Sequence, residues 1–292
     1  MSHAVDNPCQ SITKDTMAYL IFGLLAFSAV VLLILIVVFL VQQAWPLLAS
    51  GKLLNFLSAE GWHPLEGKLG MLPMLWATLA SAIGALFIAL PLGMAVAVFS
   101  LYIAPKFLKP VIILVVNLLA GIPSVVFGLW GLTWLVPLLN EWHAPGASLL
   151  AAILVLSVMI LPTITITTRT ALAALPASYQ QAAACLCLSR TTVIIEILIP
   201  AASRGIGSGV LLALARALGE TMAVLMVAGN VVQTPHSLFD PVRVLTANIA
   251  LEMAYAADQH RAALFASGLL LMLLVSCTLI FAILMRRKRE EQ

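Results

Sequence analysis

"MAYLIFGLLAFSAVVLLILIVVFLV", Met17 to Val41, decides the solvent in which this chain folds. The run carries no formal charge. As a helix it would be about 37 Å long, against roughly 30 Å of bilayer hydrocarbon. It is too long for the apolar core of a signal peptide, and "QQAWP" follows where a small-residue cleavage site would stand. The run is therefore expected to remain as a membrane anchor. Composition agrees: 62% of the 292 residues are hydrophobic and only 9% charged, with a mean hydropathy of +1.09. Soluble domains carry about 25% charged residues, so the fold class is an all-α polytopic membrane protein.

Six apolar runs are long enough to cross, at 17–44, 74–103, 109–138, 147–168, 205–231 and 262–285. They divide the chain into a tail at 1–16, a first transmembrane helix at 17–44, a five-helix core at 74–285 and a basic tail at 286–292. With the N-terminus inside, Lys14, Lys106, Lys109, Arg169, Arg190, Arg204, Arg286, Arg287, Lys288 and Arg289 face the cytoplasm. Lys52, Lys68, Arg243 and Arg261 face outward. The excess of positive charge inside places both termini in the cytoplasm. The terminal "RRKREEQ" then acts as a stop-transfer anchor, and no nucleic-acid partner is expected. The outward loops at 46–73 and 232–261 are available to an extracytoplasmic partner.

No G-x4-G-K-S/T loop is present, so the chain has no such means of hydrolysing ATP. Its five histidines (3, 63, 143, 236 and 260) lie in loops or the tail, and H-E-x-x-H does not occur. An intramembrane enzyme or metal site is not expected. Cys9, Cys185, Cys187 and Cys277 suggest no disulfide framework, and the C-x-C spacing lacks the gap of a redox or zinc pair.

Two features stand out from the apolar background. The first is the long inner segment 169–204, "RTALAALPASYQQAAACLCLSRTTVIIEILIPAASR". Pro176 suits a helix start, Ser178 to Leu188 reads as a short Ala-rich helix, and Ser189 is placed to cap a second segment ending at Pro200. Its small face fits close packing against another protein or a position at the membrane interface. The second is "RALGETMA", Arg216 to Ala223: in 205–232 only Arg216 and Glu220 are charged. In one helix they would share a face. Either they form a staple between themselves, or they face a wet path through the membrane. Thr221 stands beside them as a path hydroxyl or a packing residue. In the third run "GIPS" interrupts the helix at Pro123, making Ser124 and Asn117 path candidates unless the proline is a simple kink.

The inner segment resembles the permeases of binding-protein-dependent ABC importers, whose cytoplasmic loop reads E-A-A-x3-G-x9-I-x-L-P. The pattern falls on Gln181, Ala182, Ala183, Cys187, Ile197, Ile199 and Pro200, with Gln for Glu, Cys for Gly and Ile for Leu. "LAGIPSVVFGLWGL" (Leu119 to Leu132) and "RALGETMAVLMVAGN" (Arg216 to Asn230) are similar to segments of the C-type (PstC type) permease of phosphate importers. The resemblance implies a type I ABC importer permease of six helices in the bacterial inner membrane. It also implies that 181–200 docks on an ATPase subunit. The implied partners are a second permease subunit (PstA type) as heterodimer, two ATPase subunits, a periplasmic phosphate-binding protein and membrane lipid. The chain itself would hold no cofactor or metal, since ATP and Mg belong to the ATPase, and it would be no enzyme.

For phosphate, the chemistry suggests a division of labour. Arg216 attracts the anion, and Glu220 accepts the hydroxyl proton that phosphate carries and sulfate lacks. The alternatives are a permease for another oxyanion such as sulfate or molybdate, and a proton-coupled secondary transporter with Glu220 as carrier.

Overall fold

A computed structural model describes residues 8–49, 56, 61–64 and 68–287. The outer parts of both expected tails, and Lys52 in the first loop, lie outside the described residues. Helix α1, Pro8–Ala49, begins within the stretch expected as a tail. A two-residue hairpin follows, β1 (Trp62–His63) paired antiparallel with β2 (Lys68–Leu69). The second span is α2, Leu72–Ile103, the third begins as α3, Leu108–Gly121, and the fourth is α5, Leu149–Ala173. Helix α11, Asp258–Arg287, is the last.

Three expected boundaries shift for local reasons. The third run is two helices, α3 and α4 (Ser124–Trp142), separated by Ile122 and Pro123 in extended backbone. A proline pushes its predecessor out of the helical region and offers no N–H, so the break follows from "GIPS". The fourth run continues past Thr168 to Ala173. Thr165, Thr167 and Thr170 turn their hydroxyls onto carbonyls one turn earlier, which satisfies them inside the helix. The fifth run is also divided, into α8 (Ser203–Leu218) and α9 (Met222–Val227).

Between α5 and α8 the inner segment forms α6, Ser178–Cys185, and α7, Arg190–Ala201, which meets α8 at a bend of 68°. Helix α10, Leu245–Glu252, lies in the loop before α11. Wide π turns occupy 131–135 in α4 and 193–198 in α7. Pro137 and Pro200 follow them; each lacks an N–H for the carbonyl four residues back, and the widened turn absorbs its ring. Among the described residues five helices are long and apolar enough to span a membrane, or six if α7 and α8 count as one bent span.

Helix α5 is the centre of the bundle. Its apolar side chains, including Val155, Leu156, Met159 and Ile160, are fully buried against α2, α4, α8 and α9. Small residues make this possible. A Cβ added at Gly209 of α8 would overlap the Thr167 side chain of α5, and one at Gly131 of α4 would overlap Val155 and Val227. Without a hydrophobic difference between helix and lipid, such close approach is what holds membrane helices together. Helix α1 leans on α11, with Phe39 edge-on to Phe265 at 5.6 Å, and its remaining apolar surface is exposed.

Candidate functional site: two helix breaks and a protruding loop

Helix α8 ends at Leu218 because Glu220 draws the chain into a new start. Its carboxylate Oε1 accepts the N–H of Ala223 at 3.2 Å, capping α9 from outside the helix. The Glu220 carbonyl accepts the Thr246 hydroxyl at 2.8 Å, tying the break to α10. Arg216 and Glu220 therefore do not share one continuous helix face, and no ion pair joins them among the described residues. The self-neutralising staple is thereby corrected. Arg216 stands exposed in the last turn of α8, and no hydrogen bond of its guanidinium is found among the described residues. Thr221 immediately precedes α9, and its hydroxyl makes a long 3.4 Å contact with the Gly219 carbonyl.

The two breaks lie at one depth. Gly128 of α4 packs against Ala223 and Met226, and Gly131 against Val227, so α4 and α9 run side by side in the same direction. One turn back from Gly128 is Ser124, level with Glu220. The packing thus sets Ser124 close in height to Glu220 and Thr221, while Arg216 stands one turn earlier on α8, about 6 Å along the axis. Asn117 is not with them. It lies on α3, seven residues before Ser124, and lines a separate cleft with Arg169.

The loop segment has the geometry of a protruding dock. Gln181, Ala182, Cys187 and Pro200 are exposed, Ile197 is half-buried, and Ala183 is turned inward. Helix α6 closes with the Leu188 N–H on the Ala183 carbonyl (3.2 Å) and the Cys187 N–H on Ala184 (3.1 Å). This paired closure requires a left-handed residue, and Cys187 supplies it at φ 53°. The family pattern's glycine falls on this position. Ser189 caps α7 by accepting the Thr192 N–H at 3.2 Å. Cys185, Cys187 and Cys277 are free and exposed.

At the opposite end lies a cluster that the sequence reading did not single out. Glu252, 7% exposed, accepts the Trp62 indole N–H (2.6 Å) and an Arg243 N–H (2.7 Å), and lies 2.8 Å from His260 Nε2. Arg243 also donates to Asn248 and to the Asn230 carbonyl. In the same region Asp240 accepts the N–H groups of His236 and Ser237, which hold its carboxyl below the ordinary aspartate range. No group of three or more candidate metal ligands occurs among the described residues.

Residues 89–290 match the family model described as binding-protein-dependent transport system inner membrane component. The probable ABC transporter permease protein YqgH of Bacillus subtilis is 40% identical over 239 residues, 80% of this chain and 76% of that protein. The phosphate transport system permease protein PstC of Haemophilus influenzae is 33% identical over 97% of this chain and 94% of its own length. Among solved structures, the bacterial alginate ABC transporter superposes with a TM-score of 0.70 over 96% of each chain at 14% identity. The inward-facing MetNI methionine ABC transporter gives 0.61 over 75% of this chain at 21% identity. These two structures speak for the fold.

Proposed function

The chain belongs to the binding-protein-dependent transport system inner membrane component family, and from that premise we propose that it is the permease subunit that carries inorganic phosphate across a bacterial inner membrane. The single observation that carries the substrate is the Arg216 guanidinium, without a hydrogen-bond partner among the described residues at a helix break. A planar, permanently charged fork matches two oxygens of a tetrahedral anion. Glu220 has one carboxylate oxygen committed to Ala223, and the other, with no hydrogen bond among the described residues, would accept a proton of the phosphate. Sulfate brings no such proton at neutral pH and would leave the carboxylate facing an anion. Thr221 and Ser124 add hydroxyls near the height of Glu220. These residues act by attracting, orienting and releasing the anion, and no covalent step is required of them.

In this reading both termini are cytoplasmic and the α6–α7 loop points into the cytoplasm. The exposed face of Gln181, Ala182 and Cys187, with Ile197 and Pro200 behind it, meets one ATPase subunit. ATP and its magnesium are held there. A PstA-type permease completes the path as heterodimer, a second ATPase serves that partner, and a periplasmic phosphate-binding protein delivers the substrate to the opposite end.

The test is ATP-driven phosphate uptake into proteoliposomes containing the chain, its permease partner, the ATPase and the binding protein. Uptake should require ATP and the binding protein, resist a sulfate excess, and fall about ten- to a hundredfold in Arg216→Gln, the loss expected for a charge-assisted hydrogen bond. Uptake without ATP, or sulfate carried in preference, would overturn the reading. Normal uptake by Arg216→Gln would remove the arginine from the path.

A further inference from the structure

The end of α5 nearest the coupling loop holds a second arginine without a hydrogen-bond partner among the described residues. The Arg169 Nε is buried and unpaired, in a cleft of about 120 Å3 between α2, α3 and α5. A buried donor left unmade costs free energy, so a polar occupant of the cleft is favoured. The polar lining of the cleft is Ser100, Asn117, Thr165 and Thr170 together with Arg169; the rest is isoleucine and valine, and no carboxylate takes part.

The hydroxyls in this cleft are oriented. Ser100 donates to the Ala97 carbonyl at 2.8 Å, Thr165 to Leu161 and Thr170 to Ile166, both at 2.9 Å. Their protons are therefore committed, and their oxygens remain as acceptors. Arg169 and the Asn117 amide remain as donors. Donors to unprotonated oxygens and acceptors for a hydroxyl together match a partly protonated oxyanion. One water needs roughly 10–15 Å3 of such space, so the cleft has room for a tetrahedral anion of five heavy atoms.

The register of α5 on α8 gives the depth of the cleft. Gly205 of α8 packs on Ala171 of α5, and Gly209 on Thr167. Arg169 is therefore level with position 207 of α8, nine residues before Arg216, or about 14 Å nearer the loop end. We propose that Arg169 and Asn117 form a second oxyanion-binding station, on the side of α5 turned away from α8 and about 14 Å nearer the loop end than Arg216. This inference rests on the oxyanion-permease reading above. The shared chemistry is a phosphoryl oxyanion, and its source is assigned to free phosphate in transit; a phospholipid headgroup is the other source to be tested.

The experiment uses the assembled transporter in nanodiscs, with Cys9, Cys185, Cys187 and Cys277 replaced by serine and Asn117→Cys introduced. The Asn117→Cys thiol should react faster with an anionic than with a cationic methanethiosulfonate. Arg169→Gln should reduce that ratio about tenfold, the effect of removing one nearby unit charge. Free phosphate should slow the labelling, and Arg169→Gln should abolish that protection while Arg169→Lys retains part of it. Co-purification of the ATPase with each variant separates a local effect from failed assembly. If wild type takes up phosphate yet labelling ignores charge and phosphate alike, the inner station is overturned. Charge selectivity without protection by any free oxyanion also overturns it. So does labelling that follows the headgroup composition of the nanodisc and ignores free phosphate, which assigns Arg169 to lipid. If sulfate both protects the thiol and drives uptake where phosphate does neither, the station stands and the phosphate reading falls.

Discussion

Cys187 holds a left-handed backbone at φ 53° to let the two closing hydrogen bonds of α6 form. A side chain there costs roughly 1–2 kcal/mol, partly offset because glycine loses more freedom on folding. Cys187→Gly should therefore steady the loop by about 0.5–1 kcal/mol, read as a two- to fivefold slower exchange of the Leu188 amide proton. Faster exchange would show that the thiol makes a contact worth more than the strain. The position was legible in the sequence as a departure from a family pattern, but not as a left-handed residue. That follows only from the register of Ala183, Ala184 and Leu188 at the helix end.

At the scale of elements, apolar length announced nearly every span, and Pro123 announced the break between α3 and α4. The second break carried no such signal. "RALGETMA" has no proline, and the spacing of Arg216 and Glu220 reads as one helix face. What ends the helix is the competition of the Glu220 carboxylate for the Ala223 N–H, helped by the Thr246 hydroxyl that arrives from 26 residues away. Short-range pattern cannot contain that second partner. The packing of α5 on α8 was legible as composition, in the run of glycines and alanines, but not as particular contacts. Gly209 is the point of closest approach, where any added side chain meets Thr167. Gly209→Leu should overfill the interface by about 2–3 kcal/mol. A lower midpoint of thermal unfolding checks this, together with reduced recovery of the assembled complex. An unchanged midpoint would mean that α5 and α8 separate without loss.

For the molecule as a whole, the two ends differ in how they are held. The loop end rests on a small apolar cluster of Leu172, Leu198, Ala202 and Ile206. The opposite end is tied by Glu252, which joins the hairpin through Trp62, the 243 loop through Arg243 and the start of α11 through His260. Trp62 and Glu252 are 190 residues apart, which is why the loop residues were visible as charges but not as one network. Glu252→Ala would leave the half-buried Arg243 without its charged partner, keeping its bonds to Asn230 and Asn248. It should destabilise the protein by about 3 kcal/mol, the cost of breaking a buried pair from one side. A fall in the unfolding midpoint checks this. The hairpin should also become more sensitive to protease as Trp62 is released, while cleavage in the α6–α7 loop stays unchanged. Equal loosening of both ends would show that the bundle transmits the loss throughout.

Helix α1 is 42 residues long, about 63 Å end to end, and its uncharged part alone exceeds the hydrocarbon thickness. It touches the remainder of the described chain mainly along α11, so lipid sets its inclination as much as protein does. In a thin bilayer α1 must lean further; in a thick one it stands more upright, and the crossing at Phe39 and Phe265 moves with it. A change in acyl-chain length should therefore register first at the α1–α11 crossing, the place where the width of the membrane meets the bundle.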